Sequence, residues 1–266
     1  MTICPICSSR DTQLFIVVKN YDYFACNSCR AVYLGVIDDN EQVERHTSSE
    51  YKQSRIRADS LNTNHNKWLA AMIARIKRSG SVLDVGSGAG YFVKTMRDFG
   101  YDAVGLDLGE ENVVFARDNL SVAVLNQDFL TMTGKYDIIT FNQLIEHVSN
   151  PNAFISKARS MLREHGLIII STPNLYLARI LAKLPRPILG DALGHPPNHC
   201  ILFEPKTIRW MLEQNGFEVT SIRNNPTGLK GNSKIRHIAD TIMNAAKVIG
   251  PNMIISAEVK TGHTTT

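Results

Sequence analysis

The sequence predicts an α/β protein, in which helices cover both faces of a mostly parallel sheet and a small cysteine-rich module precedes the sheet. Two observations predict the main fold. Short apolar runs alternate with segments of helical periodicity from residue 81 onward, and the first run ends in a glycine-rich turn, VLDVGSGAGYF at 82–92. The module is predicted by two Cys-x-x-Cys pairs near the amino terminus.

The cysteine pairs predict a zinc ribbon over residues 1–37. Eighteen residues separate Cys4-x2-Cys7 from Cys26-x2-Cys29, a spacing typical of a site in which four thiolates bind one structural Zn²⁺. The runs LFIVVK and YFACNSC are expected to form short strands that lead into the two turns. Four thiolates leave no open position for a substrate, so the metal's role is structural. Unpaired or oxidised thiols are the alternative, and the fifth cysteine, Cys200, is interpreted as a packing residue.

Residues 38–80 are interpreted as a linker and a helical cap. The segment 38–50 is almost devoid of apolar residues, which predicts a solvated linker or a loose helix. Apolar residues then recur at helical spacing from Trp68 to Ile76, which predicts a helix that leads into the main domain, residues 81–266.

The main domain is predicted strand by strand. Strands are expected near 81–85, 101–107, 122–127, 136–142 and 166–171, followed by GFEVTSIR, a helix over roughly 233–248 and a last strand, MIISAEVK. Prolines exclude one continuous helix between the fifth strand and the next helix. An insertion at that place lies above the carboxyl ends of the strands, where ligands bind, so residues 174–203 are the candidate substrate lid.

The glycine-rich turn indicates a nucleotide-type cofactor. Gly86, Gly88 and Gly90 remove side chains where the backbone turns and approaches a ligand, and the helix that follows offers free N–H groups. Asp107 ends the next apolar run 21 residues after Gly86, where a carboxylate can accept both hydroxyls of a ribose. The third small residue of a dinucleotide fingerprint is replaced by Tyr91, which argues against NAD or FAD.

These motifs resemble those of class I S-adenosylmethionine-dependent methyltransferases, in particular the ubiquinone-type O-methyltransferases and their relatives in sugar and natural-product pathways. The resemblance covers about residues 48–260 and rests on the glycine turn with Asp84 before it and on four segments in the expected order: LNQDF, YDIITFNQLIEHVSNP, HGLIIISTPN and HPPNHCILFEPKTIRWMLEQNGFEV. It implies a Rossmann-like sheet of seven strands, with the last strand antiparallel beside the fifth. It also implies S-adenosylmethionine as cofactor.

The resemblance further implies which residues bind that cofactor. The turn cups its methionine end, Asp128 caps the adenine amino group and Phe129 packs on the adenine ring. The full set is Asp84, Gly86, Gly88, Gly90, Phe92, Asp107, Leu108, Asp128, Phe129, Asn142 and Gln143.

Methyl transfer requires alignment, exclusion of water and, for many acceptors, removal of a proton. The candidate bases are His199, His147 and His195, each of which can equally be a hydrogen-bonded structural residue. In the ubiquinone-type enzymes an E-x-x-E-H pattern helps to hold a divalent metal, but the first glutamate is Gln143 here. A neutral amide is a poorer ligand for a hard cation, which argues against metal-assisted catechol chemistry.

Composition limits the partners. The chain has 266 residues, 44% hydrophobic and 20% charged, and no apolar run long enough to span a membrane. We expect a cytoplasmic protein, because a secretion signal is not evident at its amino terminus. The net charge of +4 comes from scattered Lys and Arg, so nucleic acid is not the expected partner, and a homodimer stays open.

The preferred interpretation is methyl transfer to a small-molecule acceptor, as an O-methyltransferase in sugar, quinone or secondary-metabolite biosynthesis. One alternative is a C-methyltransferase of nucleotide sugars, since those also carry an amino-terminal cysteine site. Another is a zinc-ribbon rRNA or tRNA methyltransferase. Its second cysteine pair usually includes a histidine, whereas this chain has Cys26 and Cys29. A non-enzymatic docking protein is disfavoured because Gly86, Asp107 and Asp128 are intact.

Overall fold

The computed structural model describes residues 2–48, 56, 60–61, 63–175, 197–224 and 252–260. His195, most of the candidate lid and the helix expected at 233–248 lie outside these ranges. The chain divides into two compact units. The first comprises Met1–Asp38, Gln143–Ile155 and Ile170–Ala257, and the second comprises Asp39–Asn142, Ser156–Ile169 and Glu258–Thr266.

The described elements follow one another in this order: β1 (Thr12–Val18), β2 (Tyr21–Cys26), β3 (Val32–Leu34), α1 (Asp39–Thr47), α2 (Thr63–Ile76), β4 (Ser81–Val85), α3 (Tyr91–Asp98), β5 (Asp102–Leu106), α4 (Glu110–Phe115), β6 (Val124–Leu125), β7 (Tyr136–Asn142), α5 (Pro151–Met161), β8 (Leu162–Pro173), β9 (Ile201–Leu202), α6 (Pro205–Gln214), β10 (Phe217–Asn224) and β11 (Asn252–Val259). A π-helical turn, Ala116–Leu120, continues α4.

A seven-stranded sheet has the strand order β10-β11-β8-β7-β4-β5-β6. The pairs β4·β5, β4·β7 and β5·β6 are parallel, as the alternation of strands and helices predicts. Strands covered on both faces are mainly apolar, and Val82, Leu83, Ile138 and Ile139 are fully buried. The order also confirms that the last strand lies beside the fifth, because β11 is the neighbour of β8.

A second, smaller sheet of order β1-β2-β3-β9 belongs to the first unit. Two short strands were expected here, and they form the antiparallel hairpin β1·β2, but β3 and β9 were not expected. They have three and two residues, too few for a periodic pattern, and they form because β3 pairs antiparallel with both β2 and β9. Strand β6, also two residues long, is shorter than the predicted 122–127, and β8 is longer than predicted.

Within the described residues, no helix has the length and apolar character needed to cross a membrane.

Candidate functional site

The glycine-rich turn between β4 and α3 has a backbone conformation that residues other than glycine rarely adopt. Gly86, Gly88 and Gly90 have φ angles of 69°, 53° and 81°, all in the left-handed region. Gly90 precedes the first turn of α3, and no side chain caps that turn. The first N–H groups of α3 therefore remain available to a ligand at this helix end.

The turn also lies unusually close to β5 and to the end of α4. A Cβ atom on Gly105 would collide with the Ser87 side chain, which lies directly above it. A Cβ atom on Gly90 would come within 3.1 Å of Ala116 and Val122. Because Gly90 and Gly105 have no side chain, the turn packs closely against β5 and the end of α4.

Asp107, at the end of β5, holds this turn in place. Its Oδ2 accepts a hydrogen bond from the Gly88 N–H at 2.9 Å. Its Oδ1 accepts bonds from the Gly109 N–H at 2.8 Å and from the Asn112 side chain at 3.0 Å. A carboxylate oxygen has two acceptor positions, so Oδ2 keeps one for a ligand hydroxyl. Asp107 is therefore both a structural residue of the turn and a candidate ligand-binding residue.

Near the glycine turn and the end of β7, the buried atoms Ser87 Oγ, Asn112 Oδ1 and Asn142 Oδ1 have no hydrogen-bond partner among the described residues. Buried polar atoms are nearly always paired in native proteins. Ser87 belongs to the glycine turn, Asn112 contacts Asp107, and Asn142 ends β7. These atoms, with the glycine turn, fit a polar ligand of nucleoside type. Ser87 and Asn112 were missed from the sequence, because only their contacts mark them.

The other predicted cofactor residues of this unit divide into buried and exposed groups. Asp84 is buried and accepts a 2.6 Å hydrogen bond from Thr140, which ties β4 to β7. Phe92 is buried in α3, and Phe129 is buried with its ring edge-on to Phe141. These three residues are therefore part of the packed interior near the glycine turn.

Asp128 and Leu108, by contrast, are exposed. The Asp128 carboxylate accepts a 3.1 Å bond from the Leu130 N–H and so shapes the turn after β6. Leu125 and Leu130 are 40% and 41% exposed, close in exposure to Leu108 at 49%. Exposed apolar side chains near carboxylates in the chain can pack against a planar ring of a ligand. Leu125 and Leu130 belong to no recognisable motif, so the sequence could not have identified them.

The candidate bases that the structure describes belong to the first unit. The rings of His147 and His199 are 4.9 Å apart and meet edge to face. His147 Nδ1 lies 2.6 Å from the Asn198 carbonyl oxygen. Because a carbonyl only accepts, Nδ1 carries a proton, and in the neutral form of the ring Nε2 is an acceptor.

Glu146 is fully buried next to this histidine pair. Its Oε2 accepts a 3.0 Å bond from Thr172, and ligand atoms of Glu146, His147 and His199 all lie within 4.8 Å of one another. Such a set can share a proton or hold a cation. Gln143 has a φ of 56°, unusual for a residue with a side chain, and its amide donates to Ser171 Oγ at 3.0 Å.

The four amino-terminal cysteines come together as the spacing predicts. Their sulfur atoms all lie within 4.8 Å of one another, with Cys4 and Cys29 3.6 Å apart and Cys7 and Cys26 3.5 Å apart. The hydrogen bond between Cys4 and Cys29 lowers the pKa of Cys4 and raises that of Cys29, because the two sulfur atoms share one proton. Four sulfur atoms this close together suit a soft or borderline cation.

Each cysteine pair is followed by a residue in the left-handed region, Ser8 with φ 57° and Arg30 with φ 67°. In the second pair the Cys29 N–H also donates to Cys26 Sγ at 3.5 Å. The two turns therefore have matching backbone geometry and direct their sulfur atoms at one point.

Comparison with known proteins identifies the main part of the chain. The profile of the family described as Methyltransferase domain matches residues 52–222. A ubiquinone biosynthesis O-methyltransferase of Glaesserella parasuis serovar 5 (strain SH0165) is 36% identical over 106 residues, which cover 35% of this chain and 45% of the relative. One of Bordetella avium (strain 197N) is 26% identical and covers 68% of this chain and 83% of the relative. The matched region spans less than half the length of the first two curated relatives, 45% and 43%.

Solved structures share the fold. The magnesium protoporphyrin IX methyltransferase of Synechocystis PCC 6803, solved with bound SAH, superposes with a TM-score of 0.59 at 19% identity and covers 84% of this chain and all of that one. A putative methyltransferase in complex with the Haloferax volcanii Trm112 methyltransferase activator superposes with a TM-score of 0.58 at 14% identity, covering 80% of this chain and 97% of that one. At such identities the likeness concerns the fold alone.

Proposed function

Since this chain belongs to the Methyltransferase domain family, we propose that it transfers a methyl group from S-adenosylmethionine to a hydroxyl oxygen of a small-molecule acceptor. The observation that carries the proposal is the left-handed glycine turn held to the Asp107 carboxylate at the ends of β4 and β5. The names of the curated relatives favour an acceptor in quinone biosynthesis.

Different residues of the chain bind different parts of the cofactor. S-adenosylmethionine supplies a methyl group on a sulfonium, a good leaving group, so the protein contributes mainly position and proton transfer. Asp107 Oδ2 accepts from a ribose hydroxyl with its remaining lone pair. Ser87 Oγ and Asn142 Oδ1 pair with polar groups of the cofactor, and the exposed Leu108 contacts its adenine ring.

His199 is the proposed base. In the reaction the acceptor hydroxyl gives its proton to a nitrogen of His199 as its oxygen takes the methyl group, and a neutral thioether leaves. The neighbouring His147 holds its own proton on Nδ1 toward Asn198, so its ring is fixed, and its plane is inclined by 69° to that of His199. His195 is a further proposed contact to the acceptor and lies outside the described residues.

We propose that Cys4, Cys7, Cys26 and Cys29 bind one structural Zn²⁺, which the distances among their sulfur atoms support. Such thiolates persist in a reducing compartment, which favours the cytoplasm. RNA is the less favoured acceptor, because residues 1–37 carry three basic side chains, Arg10, Lys19 and Arg30, against two acidic ones, Asp11 and Asp22.

Calorimetry with S-adenosylmethionine tests the proposal. Asp107→Asn keeps the size of the side chain but removes its charge, and we expect affinity to fall by roughly 1.5–3 kcal/mol, the range for a hydrogen bond to a charged group. Asp118→Asn is the matched control, because Asp118 is an exposed acid paired with Arg117 on the same unit, and it should bind as the parent does. Equal affinity of both variants, or binding of NAD in place of S-adenosylmethionine by the parent, contradicts the assignment.

A further inference from the structure

The backbone of His199 is held by the cysteine ribbon, here residues 2–37 with strands β1 to β3. The Tyr23 hydroxyl donates a 3.0 Å hydrogen bond to the carbonyl oxygen of His199. The next residue is held as well, since the Leu34 N–H donates to the Cys200 carbonyl at 2.9 Å. Beyond that point β3 pairs with β9, with Tyr33 opposite Ile201. Three consecutive residues after Asn198 thus have ribbon partners.

The opposite side of the same segment is bonded to the loop after β7. The Cys200 N–H and the Ile201 N–H both donate to the Glu146 carbonyl, at 2.8 and 3.1 Å. The segment 199–201 is therefore clamped between the ribbon and the residue that precedes His147. Since all these groups belong to the first unit, the ribbon sets the position of the His199 backbone relative to His147.

Tyr23 is the ribbon residue best suited to this role. It is completely buried, and burial raises the pKa of its phenol, so the hydroxyl stays a hydrogen-bond donor at every physiological pH. Its position in β2, three residues before Cys26, connects it to the second cysteine pair through one short strand.

The ribbon is also tied to the rest of the first unit at both cysteine turns. Thr207, in the first turn of α6, donates to the Cys29 carbonyl at 2.8 Å, and Arg30 pairs with the nearly buried Glu204 at 2.9 Å. Asn152, near the start of α5, donates to the Ile6 carbonyl at 2.8 Å. A change in the cysteine turns therefore alters the contacts of Glu204 and Thr207, which follow strand β9 in the chain.

We infer that the cysteine ribbon positions His199 and that Tyr23 is the positioning residue. Its hydrogen bond to the His199 carbonyl fixes the backbone of His199 relative to the folded ribbon. The role of this histidine in proton transfer rests on the proposed function, but its positioning can be measured without any reaction. A ribbon that serves only as a separate docking module is inconsistent with this bonding pattern.

The experiment measures the reactivity of individual histidines in the full-length protein. Diethyl pyrocarbonate modifies neutral imidazoles, and peptide mass spectrometry gives the rate for each residue. His165, whose side chain is 69% exposed, is the internal reference. In Tyr23→Phe the ring is kept and one hydrogen bond is lost, so the rate at His199 relative to His165 should rise by about threefold to tenfold, the range for one neutral hydrogen bond.

Tyr33→Phe is the matched control. Tyr33 is a buried tyrosine of the same small sheet, and its hydroxyl bonds to Thr2 at 3.2 Å inside the ribbon. It should leave the rate at His199 unchanged, whereas removal of the metal by a chelator should raise it as Tyr23→Phe does. An unchanged rate at His199 in Tyr23→Phe, or an equal rise in Tyr33→Phe, overturns the inference.

A kinetic comparison separates positioning from simple loss of structure. With 4-hydroxybenzoate, a phenol with a single ring hydroxyl, as the acceptor probe, Tyr23→Phe should lower kcat while the KM for S-adenosylmethionine stays at the parent value. A rise in KM with unchanged kcat contradicts a positioning role. If the parent binds no S-adenosylmethionine, the proposed function fails, and the histidine rates still decide the inference.

Discussion

Asp107 combines a structural role in the glycine turn with the binding role proposed for it. Three donors from the chain already occupy its two carboxylate oxygens, and one acceptor position remains. Asp84 supports the same sheet end through Thr140. Substitutions of Asp107 or Asp84 alter both the shape and the charge of the region around the glycine turn, so conservative variants are more informative than alanine.

The glycine turn provides a prediction about stability. Gly90 and Gly100 have similar left-handed backbones, with φ of 81° and 88°, but only Gly90 is crowded. Gly100→Ala should lower the free energy of unfolding by about 1–2 kcal/mol, the cost of the left-handed conformation alone. Gly90→Ala should lose a further 1–3 kcal/mol, roughly, because the added Cβ presses on Ala116 and Val122. Urea unfolding measures both, and equal losses would show that the crowding is relieved at no cost.

A second residue-scale prediction concerns the base. His199→Ala should lower kcat by about two orders of magnitude, the usual contribution of a general base, while affinity for S-adenosylmethionine stays unchanged. The ascending limb of the pH–rate profile in the range where histidine titrates should also disappear. If that limb persists in His199→Ala and is lost in His147→Ala, the loop after β7 provides the base.

At the scale of elements, the ribbon is integrated with the helices and strands that follow it in the first unit. Its third strand extends a sheet with β9, and both cysteine turns receive hydrogen bonds from side chains of α5 and α6. Metal binding supplies much of the folding free energy of such small modules. Loss of the proposed zinc should therefore disturb more than residues 1–37.

This leads to a prediction for the metal site. Purified protein should contain one zinc per chain, and Cys4→Ser should lose it and become sensitive to proteolysis in the ribbon and around β9. Cys200→Ser is the control, because this buried cysteine lies outside the cluster and donates to the His147 carbonyl as a serine also can. Elemental analysis that finds zinc retained in Cys4→Ser would contradict four-cysteine coordination.

At the scale of the whole molecule, the dependence of stability on pH includes a contribution from Asp137, at the start of a central strand. Asp137, the second residue of β7, accepts hydrogen bonds from the Ser81 N–H and hydroxyl at 2.9 Å and lies 3.3 Å from Arg163. Partial burial acts to raise the pKa of Asp137, but the bonds from Ser81 and the charges of Arg163 and Lys77 lower it below its ordinary value. The ionised form is therefore favoured in the folded state.

The sign of the pH effect follows from this lowered pKa. The contribution of Asp137 is complete above the unfolded-state pKa, about 3.9, and is lost as the pH falls through the lower folded-state value. Asp137→Asn should lower stability at neutral pH and flatten the loss of stability below about pH 4. Asp118→Asn should change little, because Asp118 pairs with Arg117 on the exposed surface. Urea unfolding at several pH values checks this, and parallel curves for parent and Asp137→Asn would refute it.

The sequence by itself determined the features that depend on residue type and short spacing. The strand and helix alternation, the left-handed glycines, Asp107 at the end of β5 and the four clustered cysteines are all local patterns, and the structure has each of them. The glycine turn and the strands that follow it carry the family resemblance, which the match over 52–222 confirms.

Only the tertiary structure decided the features that depend on distant contacts. Strands β3 and β9 are too short to show periodicity, and they exist because each pairs with a segment far away in the chain. The bond from Tyr23 to His199 joins residues 176 positions apart, and the buried oxygens of Ser87 and Asn112 are recognised by their surroundings alone. Local sequence encodes conformational preference, whereas the partner of a buried polar group is set by which segments the packed core brings together.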